Sequence, residues 1–172
     1  HLIFGKNFPQ YISWNYATVS PLISNFDLSG FWEWEEGDYV LVGNSSTVTN
    51  NHLDVFKILA PVVESSSMRI LAPLNYGDGE YRDVVVKEGY REFGNKFQPI
   101  VDFMPFNEYA SLVKGSCSVI MGHLRQQAGA NIAMALFFGK RVFLFEKNPL
   151  YDFYAREGVI ISKVEDLVAN PS

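Results

Sequence analysis

The sequence predicts a doubly wound α/β domain on a mostly parallel, Rossmann-like sheet. Short, unbroken apolar runs recur along the chain, as in strands buried on both faces of a parallel sheet, and helix-length stretches alternate with them. Polar, glycine-containing loops follow the apolar runs. This places a ligand site at the carboxyl ends of the strands, where open α/β sheets gather their ligands.

Residues 1–36 are aromatic-rich and irregular, with Phe8-Pro9, Tyr11, Trp14, Tyr16, Phe26 and Phe31-Trp32-Glu33-Trp34. A short strand at 12–16 and a short helix or turn at 21–26 are the elements this stretch supports. So many large rings predict packing on the domain, or a link to an upstream one, rather than a loose tail. The regular domain is 37–172. Tyr39-Val40-Leu41-Val42 reads as the first strand and ends in Gly43-Asn44-Ser45-Ser46. A helix over 51–63 follows, with Leu53, Phe56, Ile58 and Leu59 toward one side. A strand at 68–72 leads through Pro73-Leu74-Asn75-Tyr76-Gly77-Asp78-Gly79 to a helix at 80–93. A third strand, 97–103, ends at Met104-Pro105, and a helix at 107–114 precedes the fourth strand at 117–121. The chain then turns through His123, Arg125, Gln126 and Gln127 into a small-residue helix at 130–138 that stops at Gly139. A strand at 141–145, the loop Glu146-Lys147-Asn148-Pro149, a helix at 150–157, a strand at 159–161 and a last helical turn or two at 163–169 complete the series. The carboxyl-end rule therefore nominates the loops 43–50, 73–79, 104–109, 123–131 and 146–151.

A chain of 172 residues fits one substantial domain, or one domain and a fragment, and 48% apolar residues sustain a large core. The formal charge of −5 excludes general nucleic-acid binding but leaves room for one small anion held by local donors. Cys117 is the sole cysteine, so no internal disulfide forms; a reducing compartment and an inert, buried thiol are the expectation. No apolar run approaches the roughly 20 residues of a spanning helix, and no signal-peptide pattern opens the chain. Those two features lead us to expect a soluble protein able to sit against a membrane, and the start without methionine and the end at Asn170-Pro171-Ser172 lead us to expect a piece of something longer.

The turn after the fourth strand is the first candidate for chemistry. A strand entering a helix through a polar turn aims backbone N–H groups and a positive dipole end at one point, which suits a phosphate or diphosphate. Arg125 offers a planar, permanently charged fork beside it. The alternative is an ordinary connection whose polar residues face water. Gly43-Asn44-Ser45-Ser46-Thr47 is neither a G-x-G-x-x-G fingerprint nor a Walker loop, though its small hydroxyls and N–H groups suit phosphate oxygens; alternatively Thr49 or Asn50 caps the next helix. His123 has the reach to donate to a phosphate or sugar hydroxyl, or it is structural; His52 reads as a capping or surface residue. No histidines or cysteines have zinc spacing. Gly77-Asp78 and the acids Glu33, Glu35, Glu36 and Asp38 fit no calcium pattern, so no metal site is expected. A receiver domain would need paired acids where Gly-Asn-Ser-Ser stands, and the hydrolase elbow G-x-S-x-G is absent.

With those residues in view, the chain resembles the TDP-N-acetylfucosamine:lipid II N-acetylfucosaminyltransferases, the 4-α-L-fucosyltransferases of the two-domain GT-B class. The resemblance is carried by Val42-Gly43-Asn44-Ser45 with Asn51-His52, by Arg125-Gln126-Gln127, and by Asn148-Pro149. Weaker echoes are Ala72-Pro73-Leu74-Asn75-Tyr76 and Phe106-Asn107-Glu108-Tyr109. It spans about residues 38–158 and corresponds to the C-terminal, nucleotide-sugar-binding lobe. It implies transfer of an N-acetylated amino-deoxyhexose from a thymidine diphosphate donor to a lipid-linked saccharide, at the cytoplasmic membrane face, in bacterial surface-glycan synthesis. The N-terminal lobe of the same protein would be the partner that supplies the catalytic base. By the same likeness the donor diphosphate would lie near Gly43, Asn44, Ser45 and the turn at Arg125, Gln126 and Gln127, with His123 and Asn148 as further substrate-binding candidates. Base and ribose would meet Met104 to Tyr109 and Asn131. No cofactor is implied.

One departure bears on mechanism. Many GT-B enzymes hold the ribose with a glutamate on the helix after the fourth strand. Counting back from Gly139 puts Met134 there and Gln126 at the earlier acidic position. This favours an inverting transferase. The competing expectations are a non-catalytic α/β binding or assembly module and a nucleotide-sugar 2-epimerase.

Overall fold

A computed structural model describes residues 37–169, so the expectations for 1–36 lie outside the described residues. Six strands form one sheet in the order β3-β2-β1-β4-β5-β6. They are β1 (Tyr39–Val42), β2 (Arg69–Pro73), β3 (Phe97–Ile100), β4 (Ser118–Met121), β5 (Arg141–Leu144) and β6 (Ser162–Lys163). Every pairing is parallel, with Val40 beside Ile70 on one side and Ser118 on the other. The helices are α1 (His52–Glu64), α2 (Gly79–Phe93), α3 (Phe106–Lys114), α4 (Gly129–Phe137), α5 (Pro149–Arg156) and α6 (Asp166–Ala169). This is the doubly wound order, whose topological switch point lies between β1 and β4. Among the described residues no helix is long and apolar enough to cross a membrane.

Strand period decides what packs where. Successive side chains alternate faces, so Val40, Val42, Ile70, Ala72, Ile120 and Phe143 meet α1 and α2 through Val55, Phe56, Leu59, Val63, Val85 and Phe93. Leu41, Leu71, Val119, Met121, Val142 and Leu144 meet Ala110, Val113, Ile132, Ala135 and Leu150 of α3, α4 and α5 on the other face. On the first face Phe56 is buried edge-on to Phe93 (5.2 Å) and Phe97 (5.5 Å). Gly89 lets that cluster close, because a β-carbon there would lie 2.4 Å from ring carbons of Phe97. The C-terminus of α1 is closed by Lys96, whose Nζ donates to the carbonyls of Val63, Glu64 and Ser66, a cation placed where the dipole favours it.

Four sequence expectations are corrected. The third strand stops at Ile100, where its pairing with Pro73 ends; it is an edge strand, and Val101 and Phe103 point to solvent. The last strand is Ser162–Lys163 rather than 159–161, because Phe143 pairs with Ser162 and leaves Ile160 90% exposed. The inward face of α1 is His52, Val55, Phe56, Leu59 and Val63, with Leu53 and Ile58 only half-buried. Cys117 is likewise half-buried, just ahead of β4, with Sγ 3.1 Å from the Tyr39 carbonyl oxygen.

Candidate functional site

The corner after β1 is built around one amide. Asn50 is fully buried; its Oδ1 accepts from the Asn44 N–H at 3.0 Å. Its Nδ2 donates to Ser45 Oγ at 3.0 Å and Thr47 Oγ1 at 2.8 Å. The turn needs a glycine at 43, whose φ is +72° and whose β-carbon would fall 2.4 Å from His52 Nε2. The corner is also stitched to the loop after β2. The Tyr76 carbonyl accepts from Ser46 N–H and Ser46 Oγ, both at 2.8 Å, while Asp78 N–H donates to the Ser46 carbonyl at 2.9 Å. Asn44 Nδ2 donates to the Tyr76 hydroxyl at 3.2 Å.

Three contacts cross from this corner to β4 and the turn after it. Gly43 N–H donates to the Ile120 carbonyl at 2.9 Å. Asn51 Nδ2 donates to the Gly122 carbonyl at 2.7 Å. Gln127 Oε1 accepts from Thr49 Oγ1 at 2.8 Å and from Arg125 Nε at 2.9 Å. From the other side, Asn148 caps α5 by accepting from Leu150 N–H and donates Nδ2 to the His123 carbonyl, both at 2.9 Å.

Beneath lie two histidines. His52 and His123 are fully buried, and His52 reaches the Tyr81 hydroxyl only at 3.4 Å. Burial, then the neighbouring His123, brings His52 down to about 3; burial, then Arg125, brings His123 down to about 4. Both rings are neutral in the folded chain at pH 7. Unfolded histidine titrates near 6.5, so the pair's contribution to stability is full above that pH and is lost as pH falls toward 4. At pH 5 each accounts for a loss of roughly 2 kcal/mol relative to neutral pH. Urea unfolding at pH 7.5 and pH 5 checks this; equal free energies at the two values would rule out a buried neutral pair.

Among the described residues, the buried side-chain nitrogen and oxygen atoms without a hydrogen-bond partner are Asn44 Oδ1, His52 Nε2, Tyr109 Oη and both ring nitrogens of His123. All sit at the carboxyl edge of the sheet. Burial, with Tyr76 nearby, pushes the Tyr109 hydroxyl well above the ordinary tyrosine range. An unsatisfied buried polar group costs about 1–3 kcal/mol, so their concentration on one edge calls for a reason. The helix starts repeat the pattern. α2 and α5 are capped by Asp78 and Asn148 side chains. α3 starts at Pro105 without a side-chain cap, and so do the two helices that face the switch point, α1 at Asn51 and α4 at Ala128. Those two are the positive-φ residues other than glycine among the described residues, at +50° and +59°. Strain and uncapped N–H groups thus converge on the crevice between β1 and β4.

Of the residues nominated from sequence, Gly43, Asn44, Ser45, His123, Arg125 and Gln127 border this crevice. Gln126 is exposed, and Asn131 is half-buried in the first turn of α4. Asn148 uses both ends of its amide inside the protein. Ser45 Oγ, bonded to Asn50 and 2.8 Å from Thr47 Oγ1, braces the corner. Met134 is buried in the core. His52 is corrected: it is neither a cap nor a surface residue but the floor beside Gly43. Asn50 and Thr49, expected at most to cap α1, instead hold the corner and its bridge. The signal available for them was the Asn50-Asn51 pair, typical of a tight turn.

No family model matches the chain. Its sheet and helices have the Rossmann-like architecture of a lobe of GT-B glycosyltransferases. The chain is similar to AviGT4, a glycosyltransferase involved in avilamycin A biosynthesis (TM-score 0.56, 15% identity, 80% of this chain and 44% of that one). It is similar to UDP-forming α,α-trehalose-phosphate synthase from Burkholderia xenovorans, solved with glucose-6-phosphate (TM-score 0.62, 11% identity, 88% and 39%). The synthase from Burkholderia vietnamiensis gives a TM-score of 0.63 at 9% identity over 88% and 38%. At these identities the likeness is one of fold, and the chain spans less than half the length of each of these structures.

Proposed function

We propose that the chain is the nucleotide-sugar-binding lobe of a glycosyltransferase, with the donor diphosphate at the crevice between β1 and β4. The observation that carries this reading is the gathering of unpartnered buried polar atoms and uncapped helix starts on that one edge, beside Arg125. Arg125 and the N–H groups opening α4 would meet the charge that develops on the leaving diphosphate, without a metal. Gly43, Asn44 and Ser45 would form the opposite wall, His123 the floor, and Gln126, Gln127 and Asn131 the rim. Asn148 would act by holding the His123 backbone. The fold shared with solved glycosyltransferases supports the class.

The finer reading is a dTDP-N-acetylfucosamine-like donor, a lipid-linked saccharide acceptor and bacterial surface-glycan synthesis at the inner face of the cell membrane. It rests on the Gly-Asn-Ser and Arg-Gln-Gln segments. The burial of Met134, in place of a ribose-holding carboxylate, supports an inverting enzyme. Such a transfer needs a base to deprotonate the acceptor hydroxyl, which this reading assigns to an N-terminal lobe. Calorimetric titration of the chain with thymidine, uridine and guanosine diphosphates tests the proposal. Thymidine diphosphate binds, and tightest of the three, if the reading holds. Absence of affinity for all three would leave a binding or assembly module, and sugar isomerisation without acceptor would point to an epimerase.

A further inference from the structure

Gln127 has a role that the donor-binding reading does not assign. Its Oε1 accepts two hydrogen bonds, from Thr49 Oγ1 and Arg125 Nε. The direction of both is fixed by chemistry. A guanidinium only donates, so Gln127 must turn its oxygen toward Arg125, and an oxygen so turned receives the Thr49 proton rather than giving one. A single carboxamide oxygen therefore ties the cation after β4 to the loop after β1. Arg125 is otherwise an exposed side chain whose terminal nitrogens bond to no described residue.

We infer that Thr49 is a positioning residue of the anion site, acting through Gln127 to hold the Arg125 fork in its binding orientation before the ligand arrives. This rests on the proposed diphosphate site. Thr49 touches no ligand in this scheme; its hydroxyl locks the Gln127 amide, and the amide locks Nε. The two terminal nitrogens stay available for a bidentate contact with a phosphate. Without the hydroxyl the amide rotates, and ordering the arginine becomes part of the binding step. Immobilising one such side chain on binding corresponds to roughly a two- to tenfold loss of affinity.

A double-mutant cycle tests the inference on the whole chain, using thymidine diphosphate as the probe and calorimetry as the readout. Thr49→Val is expected to weaken binding two- to tenfold by the same reasoning, to have no further effect in an Arg125→Ala background, and to be rescued by Thr49→Ser. Side-chain NMR gives a ligand-free readout: the Arg125 Nε–H should exchange faster with water in Thr49→Val. An equal loss in both backgrounds, or an unchanged Nε–H exchange rate, would overturn the positioning role while leaving the site standing. If Arg125→Ala alone leaves affinity unchanged, both this inference and the diphosphate site fall together.

Discussion

Gly43→Ala is expected to destabilise the chain by roughly 3 kcal/mol, combining a left-handed backbone with overpacking. The residue has a φ of +72°, and the added carbon would lie 2.4 Å from His52 Nε2 and 2.9 Å from Asn50 Oδ1. Neither neighbour has room to retreat. His52 and Asn50 are fully buried, and Asn50 is bonded to Asn44, Ser45 and Thr47. The damage therefore spreads from the turn to the whole corner, and ligand affinity should fall with stability. For a chain of this size the melting temperature drops by about 10 °C. Gly79→Ala serves as the comparison, because its nearest neighbour would be the end of Arg82 at 3.9 Å; it should stay within about 0.5 kcal/mol of the parent. A Gly43→Ala protein with an unchanged urea midpoint would mean that the corner is not packed as described.

Arg125→Ala is expected to weaken thymidine diphosphate binding by roughly 1.5–3 kcal/mol, the worth of a hydrogen bond to a charged group. That is about a ten- to hundredfold rise in Kd. Arg125 is exposed and its one described bond runs to Gln127, so folding stability should not move. Affinity should also become less sensitive to salt, since a permanent charge has been removed from a solvent-facing site. Arg125→Lys should recover only part of the loss, because an ammonium lacks the planar fork. Calorimetry at low and high salt reads both effects, and an unchanged Kd would remove Arg125 from the site.

How much of this was legible in the sequence depended on how far apart the causes lie. The central strands show as apolar runs because both of their faces are covered, so no lateral information is needed. At β3 the same rule overran: Val101 and Phe103 are as apolar as core residues, and nothing local says that they pass a sheet edge. Ile160 misled in the same way. The turn after β4 was legible as a turn because a strand, a polar loop and a small-residue helix are contiguous there. His52 was misread because a polar residue at a helix start normally faces water. Here the neighbours that bury it, Gly43, Phe56 and Tyr81, come from three different elements. The Thr49–Gln127 bond joins residues 78 positions apart, a separation no local pattern carries.

The stitching of the β1 corner to the loop after β2 also bears on motion. Ser46 and Gly77 form a single parallel bridge beyond the strands, closed by the bonds of Ser46 to the Tyr76 carbonyl and of Asp78 N–H to the Ser46 carbonyl. This side of the crevice is therefore stiff, and it has little disorder left to surrender when a guest arrives.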